Sequence, residues 1–338
     1  MNKLNRYLSS NGLWLPLSAF IFIVYVVQRG FASVAKSGIV PDHFPEAMQV
    51  YFWVMSVGVL AGGFLLDRFR AKDVLFFGCF LGGFGIMGII NGPWLFGIFF
   101  GAAASIVKLA PYSIQLKAFD TECDGMRIAP QAAAKNFGGA AFMLFLTAMI
   151  IGYTINQLAV ALGLAMIGFG IYSYRLIPDA QITTWKLTDV LTLMKSLSFW
   201  ALMAFYFVMC GIYYKAVMGL LPAMIKTGGL PKGTAMILLA ISFIIAGVFR
   251  WPSAWFGKKV GYWPAVLIGT AGMAISILLS PKMPVLSTFW FAIFSALLTP
   301  NYWPLTKGMF GKEYLSTVMG LGFVAQYFGA GILCGIWE

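Results

Sequence analysis

Eleven apolar runs, each long enough to cross a lipid bilayer as a helix, follow one another along the 338 residues with only short connections between them. A spanning helix uses roughly 20 apolar residues. Runs near 12–34, 47–66, 73–91, 94–117, 129–153 and 156–177, and again near 197–222, 233–256, 263–281, 284–304 and 314–337, therefore take up almost the whole chain. Backbone groups in hydrocarbon find no water, so such runs must close their hydrogen bonds internally as helices. The expected fold is an all-α polytopic membrane protein with about 11 spans. Charged residues make up 10% of the chain, against about 25% in soluble domains, which excludes an ordinary globular enzyme.

The one polar interruption, residues 179–196, carries Lys186, Asp189 and Lys195 around Leu187, Val190, Leu191 and Met194. That spacing predicts a short amphipathic helix on the membrane surface. It divides the chain into an N-terminal six-helix bundle (1–178), a cytoplasmic amphipathic linker (179–196) and a C-terminal bundle of about five spans (197–338). With the N terminus on the cytoplasmic side, the inner segments hold Lys3, Arg6, Arg68, Arg70, Lys72, Lys117, Arg127, Arg175, Lys186, Lys195, Lys258, Lys259, Lys307 and Lys312. The outer ones hold only Lys36, Lys226, Lys232 and Lys282. This asymmetry sets the orientation and accounts for most of the net charge of +12 without nucleic acid. Cys79, Cys123, Cys210 and Cys334 are scattered, and His43 is the single histidine, so neither a metal site nor a disulfide framework is expected. The run from Leu13 to Val27 lacks a small-residue cleavage site and reads as the first span, not a removable signal.

Internal symmetry marks many carrier folds, and it is present here. Gly63-Phe-Leu-Leu-Asp67-Arg68-Phe-Arg70-Ala-Lys72 follows the second span, and Ala254-Trp-Phe-Gly-Lys258-Lys259-Val-Gly261-Tyr follows the second span of the later set. The first stretch resembles the Gly-x-x-x-Asp-Arg-x-Gly-Arg-Arg loop of the major facilitator superfamily, and the second its weaker echo. The resemblance implies two six-helix bundles and a conformational lock in which Asp67 holds a neighbouring helix end while Arg68 and Arg70 pair with it. The sequence departs from the pattern at Phe69-Arg70, where a Gly is missing, and at Lys258, which replaces the second Asp. A twelfth span is also missing; either the chain is a fragment, or its C terminus lies outward and the second bundle is incomplete. Without a lock, the same loop is a charged turn that stops translocation.

Ionisable groups inside a span cost several kcal/mol, about 2.5 at the least, so they are the informative residues. Five fall there: Arg29, Lys108, Lys135, Lys215 and Arg250. All are cationic, and the chain's Asp and Glu residues fall in connections or at the end. Cations that share a cavity with no carboxylate repel one another until an anion arrives, so the expected partner is a small anionic solute. Arg suits bidentate recognition of phosphate or carboxylate, and Lys supplies point charge. The alternative reading of Arg29, Lys215 and Lys135 is that they snorkel to headgroups.

Tyr25-Val-Val-Gln28-Arg29-Gly and Tyr213-Tyr214-Lys215 occupy equivalent places on the first and seventh spans. They resemble the organophosphate:phosphate antiporter branch, which implies one basic grip on each helix. Lys135-Asn136-Phe-Gly138-Gly139 is similar to that branch's His-Asn-x-Gly-Gly, with Lys in place of His. Arg250-Trp-Pro252-Ser-Ala-Trp-Phe-Gly-Lys258 resembles instead the eighth span of nitrate/nitrite porters and oxalate/formate carriers, although Val59 stands where the nitrate porters place a second Arg and Gln326 where the oxalate carriers place a Lys. The candidate substrate-binding residues are Arg29, Lys135, Lys215, Lys108, Arg250, Tyr25, Asn136 and Tyr214; the candidate gating loop is Gly63, Asp67, Arg68 and Arg70. Tyr112, Tyr213 and Tyr302 are further oxyanion donors or else packing residues. Gln28, Gln115, Asn301 and Gln326 are cavity candidates, and Pro111, Pro222, Pro252 and Pro304 candidate kinks.

The expected function is secondary active transport by alternating access of an organic phosphate, inorganic oxyanion or carboxylate, by exchange or uniport, since no buried carboxylate is at hand to carry a proton. A monomer in a prokaryotic inner membrane, with no cofactor, is expected. The rival from another class is a transporter-like sensor that binds an anion without moving it. An enzyme is not expected, because G-x-S-x-G, H-E-x-x-H and paired intramembrane carboxylates are all missing.

Overall fold

The computed structural model describes residues 14–37, 40, 42–118, 125–149, 154–175, 177, 187–311 and 314–335. Each of the eleven runs forms a helical rod. Before the link these are α1 (Trp14–Val34), α2 (Phe44–Arg68), α3 (Ala71–Met87), α4 (Gly101–Ala118), α5 (Gly125–Met149) and α6 (Ile155–Ser173). The link holds α7 (Leu187–Leu193), which covers part of the predicted amphipathic segment; residues 178–186 lie outside the described ones. After it come α8 (Leu197–Lys226), α9 (Lys232–Val248), α10 (Arg250–Val260), α11 (Tyr262–Leu279), α12 (Pro284–Ala296), α13 (Thr299–Phe310) and α14 (Leu315–Gly335). Among the described residues, seven helical rods are long and apolar enough to cross a membrane, or eight when α9 and α10 count as one bent span. α1 and α14 contribute shorter apolar stretches, Ser18–Val34 and Thr317–Leu333. α5, with Gln131, Lys135 and Asn136, belongs to neither group.

Two of the predicted rods are broken, and proline explains both. A helical proline has no N–H to give the carbonyl four residues earlier. Pro252 thus leaves the Val248 carbonyl without its helical donor, and the chain bends by 44° between α9 and α10. Pro300 does the same to Ala296, where α12 stops; α13 resumes after Leu297 and Leu298. Pro111, Pro222 and Pro304 sit inside helices that continue through them. α4 is entered through a helical turn at Pro93–Leu95 and a π-helical turn at Phe96–Phe100. The rings of Phe96 and Phe100 stack there, 5.0 Å apart.

Helix α5 packs on α1 from its own half of the chain and on α9, α10 and α13 from beyond the link. Likewise α2 packs on α4 and α14, and α1 on α5 and α8. The approach of α5 to α1 is tight because Gly138 carries no side chain. A Cβ there would stand 2.6 Å from the Phe22 carbonyl oxygen and 2.9 Å from the Val26 nitrogen. At Gly139 a Cβ would meet the Phe243 ring at 3.0 Å and the Cδ of Arg29 at 3.1 Å. The Gly138-Gly139 pair therefore brings the polar turn before it, Lys135-Asn136, against α1.

Candidate functional site

On α1, Tyr25, Gln28 and Arg29 stand three and four residues apart and so share one face. All three are buried, Arg29 completely. Its Nη1 donates to Oδ1 of Asn136 on α5. The guanidinium lies 5.1 Å from the centre of the Tyr213 ring, 5.4 Å from that of Phe243 and 5.6 Å from that of Tyr25. Rings so placed offer their negative faces to the cation. Gln28 donates from Nε2 to the Tyr214 hydroxyl on α8.

Lys108 enters from α4 and is also buried. Its Nζ donates to the hydroxyls of Tyr51 at 3.2 Å and Tyr327 at 3.3 Å, with the sulfur of Met55 at 3.6 Å. Tyr25 faces it with its ring centre 4.4 Å from Nζ, and its hydroxyl pairs with that of Tyr327 at 3.2 Å. Lys135 is half-buried on α5, with Nζ 4.9 Å from the Tyr25 ring centre and 5.5 Å from that of Tyr213. The one ring of Tyr25 is thus shared by Arg29, Lys108 and Lys135. Bonds from Gln28, Tyr25 and Lys108 reach Tyr214 and Tyr327, and so cross from the helices before the link to those after it.

Lys135 also lines a cavity together with Cys210, Tyr213, Tyr214, Arg250 and Gln326. Its volume is about 20 Å³, room for about one water, so the protein is closed around the site. Arg250, at the start of α10, is buried and donates from Nη1 to the carbonyls of Ser295 at 2.9 Å and Ala296 at 3.0 Å, at the end of α12. Asn301 fastens the same region, donating from Nδ2 to the carbonyls of Ser253 and Leu297.

The groups left over are mostly donors. Nε and Nη2 of Arg29, Nδ2 of Asn136 and Nε2 of Gln326 are buried without a hydrogen-bond partner among the described residues, as is the Tyr213 hydroxyl. An unmet buried donor costs about 1–3 kcal/mol, more when charged, so this is a site prepared for an acceptor. Among the described side chains no Asp or Glu is buried as a whole; Glu46, near the start of α2, is half-buried with its Oε2 covered.

Of the predicted substrate residues, Arg29, Lys108, Lys135, Arg250, Tyr25, Asn136 and Tyr214 come together. Lys215 does not. It is half-buried on α8 and lies outside the cavity lining. One residue beyond Tyr214, it is turned about 100° around the helix axis from the face that meets Arg29. The residues of α8 that meet α1 in this arrangement are Tyr213, against the Arg29 guanidinium, and Tyr214, bonded to Gln28. Replacing Lys215 by Ala is expected to change anion affinity by less than about 3-fold, the size of a remote-charge effect; titration of the purified variant with phosphate checks this. Tyr51 and Tyr327 are site residues that sequence reasoning passed over. Tyr302, Gln326 and Tyr213 line the cavity, whereas the side chains of Tyr112 and Gln115 lie outside the described residues.

At the predicted gating loop, α2 ends at Arg68 and α3 begins at Ala71, so only Phe69 and Arg70 connect them; Gly63 is a buried residue of α2. Arg70 grips Asp73 with two bonds, Nε to Oδ2 at 2.6 Å and Nη2 to Oδ1 at 3.2 Å. Tyr174, beyond α6, donates to the same carboxylate at 2.8 Å, and Lys72 lies 5.2 Å from its ring centre. Arg70 is therefore fastened to Asp73, a partner the sequence reading did not name. The Asp67 side chain, on which the expected pairing with Arg68 and Arg70 turns, lies outside the described ones.

The family model described as Major Facilitator Superfamily matches residues 8–333. The chain belongs to that superfamily. Solved structures similar to this superfamily member include the nucleoside transporter NupG, at a TM-score of 0.71 and 13% identity over 96% of this chain and 90% of that one. A D-xylose–proton symporter matches at 0.69 and 13%, over 96% and 89%. The E. coli fucose:proton symporter FucP matches at 0.64 and 15%, over 94% and 89%. At these identities the likeness is one of fold. No curated protein matches the sequence. Membership makes the chain an integral multi-pass membrane protein and a transporter in kind, not an enzyme.

Proposed function

We propose that this superfamily member moves a small anionic solute, such as an organic phosphate, an inorganic oxyanion or a carboxylate, by alternating access of bundles 1–178 and 197–338. The reading places the N terminus and the linker 179–196 in the cytoplasm of a prokaryotic cell and takes the monomer as the working unit. It rests on one observation: Arg29, Lys108 and Lys135 gather around the Tyr25 ring, Lys135 and Arg250 line the small cavity beside it, and donors on Arg29, Asn136 and Gln326 are unmet among the described residues. The structural neighbours are named for a nucleoside, xylose and fucose. Buried cations, with no buried Asp or Glu among the described side chains, argue for a different solute here.

The mechanism follows from charge. Two unit charges about 5 Å apart at an effective dielectric of 20 repel by about 3 kcal/mol. An anion among these cations replaces repulsion with attraction in the closed form, and only such a difference between states can drive a conformational shift. The empty carrier lacks that screening and re-orients poorly, which favours exchange; with no buried Asp or Glu among the described side chains to carry a proton, exchange or uniport is preferred to proton symport.

Proteoliposomes loaded with radiolabelled anion and challenged outside with phosphate, sugar phosphates, nitrate, oxalate, formate or lactate test this, with neutral sugars and cations as controls. Selective exchange of one anion class is expected. Movement of neutral or cationic solutes alone would overturn the anion reading. Binding without any flux would replace transport by a sensor.

A further inference from the structure

Arg250 differs from the other buried cations in what it holds. It stands at the break between α9 and α10, and its Nη1 is bonded to Ser295 and Ala296 at the break between α12 and α13. One guanidinium therefore clips together two proline-made discontinuities. The clip has a chemical reason. Pro300 lacks the N–H that would serve the Ala296 carbonyl, and the free carbonyls of a helix end carry roughly half a negative charge. Arg250 supplies both the missing donor and the countercharge. Ser295 and Arg250 also line the cavity beside Lys135 and Gln326.

We propose that Arg250 is the coupling residue of the carrier: the guanidinium that caps α12 in the closed, empty protein turns to the solute when an anion enters. The proposal rests on the anion reading above. A full negative charge outcompetes the partial charge of two carbonyls for the same cation, since hydrogen bonds between ionised partners are roughly twice as strong as neutral ones. The anion and the exposed carbonyl end of α12 then repel each other. The bent span α9–α10 is thereby unfastened from α12–α13 at the moment of binding, and this loosening is the step that lets the second half of the chain change shape. Arg250 meets the helix ends and the solute in turn, so it links binding to movement, whereas Arg29 grips the solute alone.

The test separates affinity from turnover. Arg250→Lys keeps the positive charge but loses the planar fork that spans two carbonyls. In the full chain in proteoliposomes, with the best-exchanged anion of the panel above as label, R250K is expected to bind within about 3-fold of the unaltered protein and to exchange at least about 10-fold more slowly, a barrier increase of one decade. Pro300→Ala offers an independent route, because it returns an N–H to the Ala296 carbonyl while leaving Arg250 in place. It is expected to slow exchange in the same way, and the double variant to be no slower than either single one. Normal exchange in R250K and P300A, or a loss of binding in R250K that matches its loss of exchange, would overturn the coupling role. If the unaltered protein binds none of the anions, the anion reading fails and this inference with it.

Discussion

Arg29→Gln should lower anion affinity by about 100-fold or more, the usual cost of truncating a buried charged partner, and leave the empty protein at least as resistant to heat as before. The two halves of this result have one cause. Arg29 is fully buried, bonded to Asn136 and ringed by Tyr25, Tyr213 and Phe243, while its Nε and Nη2 have no acceptor among the described residues. On the anion reading it is the group that meets the solute and, without one, a source of repulsion toward Lys108 and Lys135. Gln retains an amide donor for Asn136 and removes the charge. Thermal melting with and without phosphate reads both effects: the anion-induced rise disappears, and the anion-free midpoint holds or climbs. An affinity change under about 3-fold, or a variant that no longer folds, would contradict the role assigned to Arg29.

The second large effect concerns Gly138. Val at this position would push its Cβ into the Phe22 carbonyl oxygen, the Val26 nitrogen and the Tyr25 carbonyl carbon, at 2.6, 2.9 and 3.1 Å. These are backbone atoms of α1, and the whole helix must move to relieve them. Overpacking of side chains alone costs about 1–3 kcal/mol; here the Arg29–Asn136 bond is lost as well, since both residues lie on the helices forced apart. Gly138→Val is therefore expected to abolish exchange and to melt at a lower temperature. Gly139→Ala is the milder neighbour, because its Cβ meets side-chain atoms of Phe243 and Arg29 at 3.0 and 3.1 Å, which need give by only a few tenths of an ångström, whereas Gly138 faces backbone. Size-exclusion profiles, melting curves and exchange rates of the two variants check the order. A Gly138→Val protein that folds and exchanges normally would show that α1 and α5 do not approach as described.

Much of this molecule is legible in the chain because a bilayer leaves few choices. Length and apolarity give each rod in order, and the placement of Arg29, Lys108, Lys135 and Arg250 inside spans marks the residues that meet. What sequence spacing hides is helical phase and distant pairing. Lys215 is half-buried one position past Tyr214, and the buried face of α8 is the one formed by Cys210, Tyr213, Tyr214 and Val217. Tyr51 and Tyr327 reach Lys108 from residues 57 and 219 positions away, and no local pattern foretells such partners. Pro300 is a missed sign of a different kind: it breaks α12 from α13 by the same rule that makes Pro252 a kink.

The Tyr25 ring, set between three cations at 4.4, 4.9 and 5.6 Å, also bears on what the protein keeps out. A hydronium or sodium ion slipping through the interior would pass close to where that ring stands. A positive charge about 5 Å away opposes it by about 3 kcal/mol at an effective dielectric of 20. On the anion reading, the grouping that attracts the solute also turns small cations away, so the centre sorts ions by the sign of their charge.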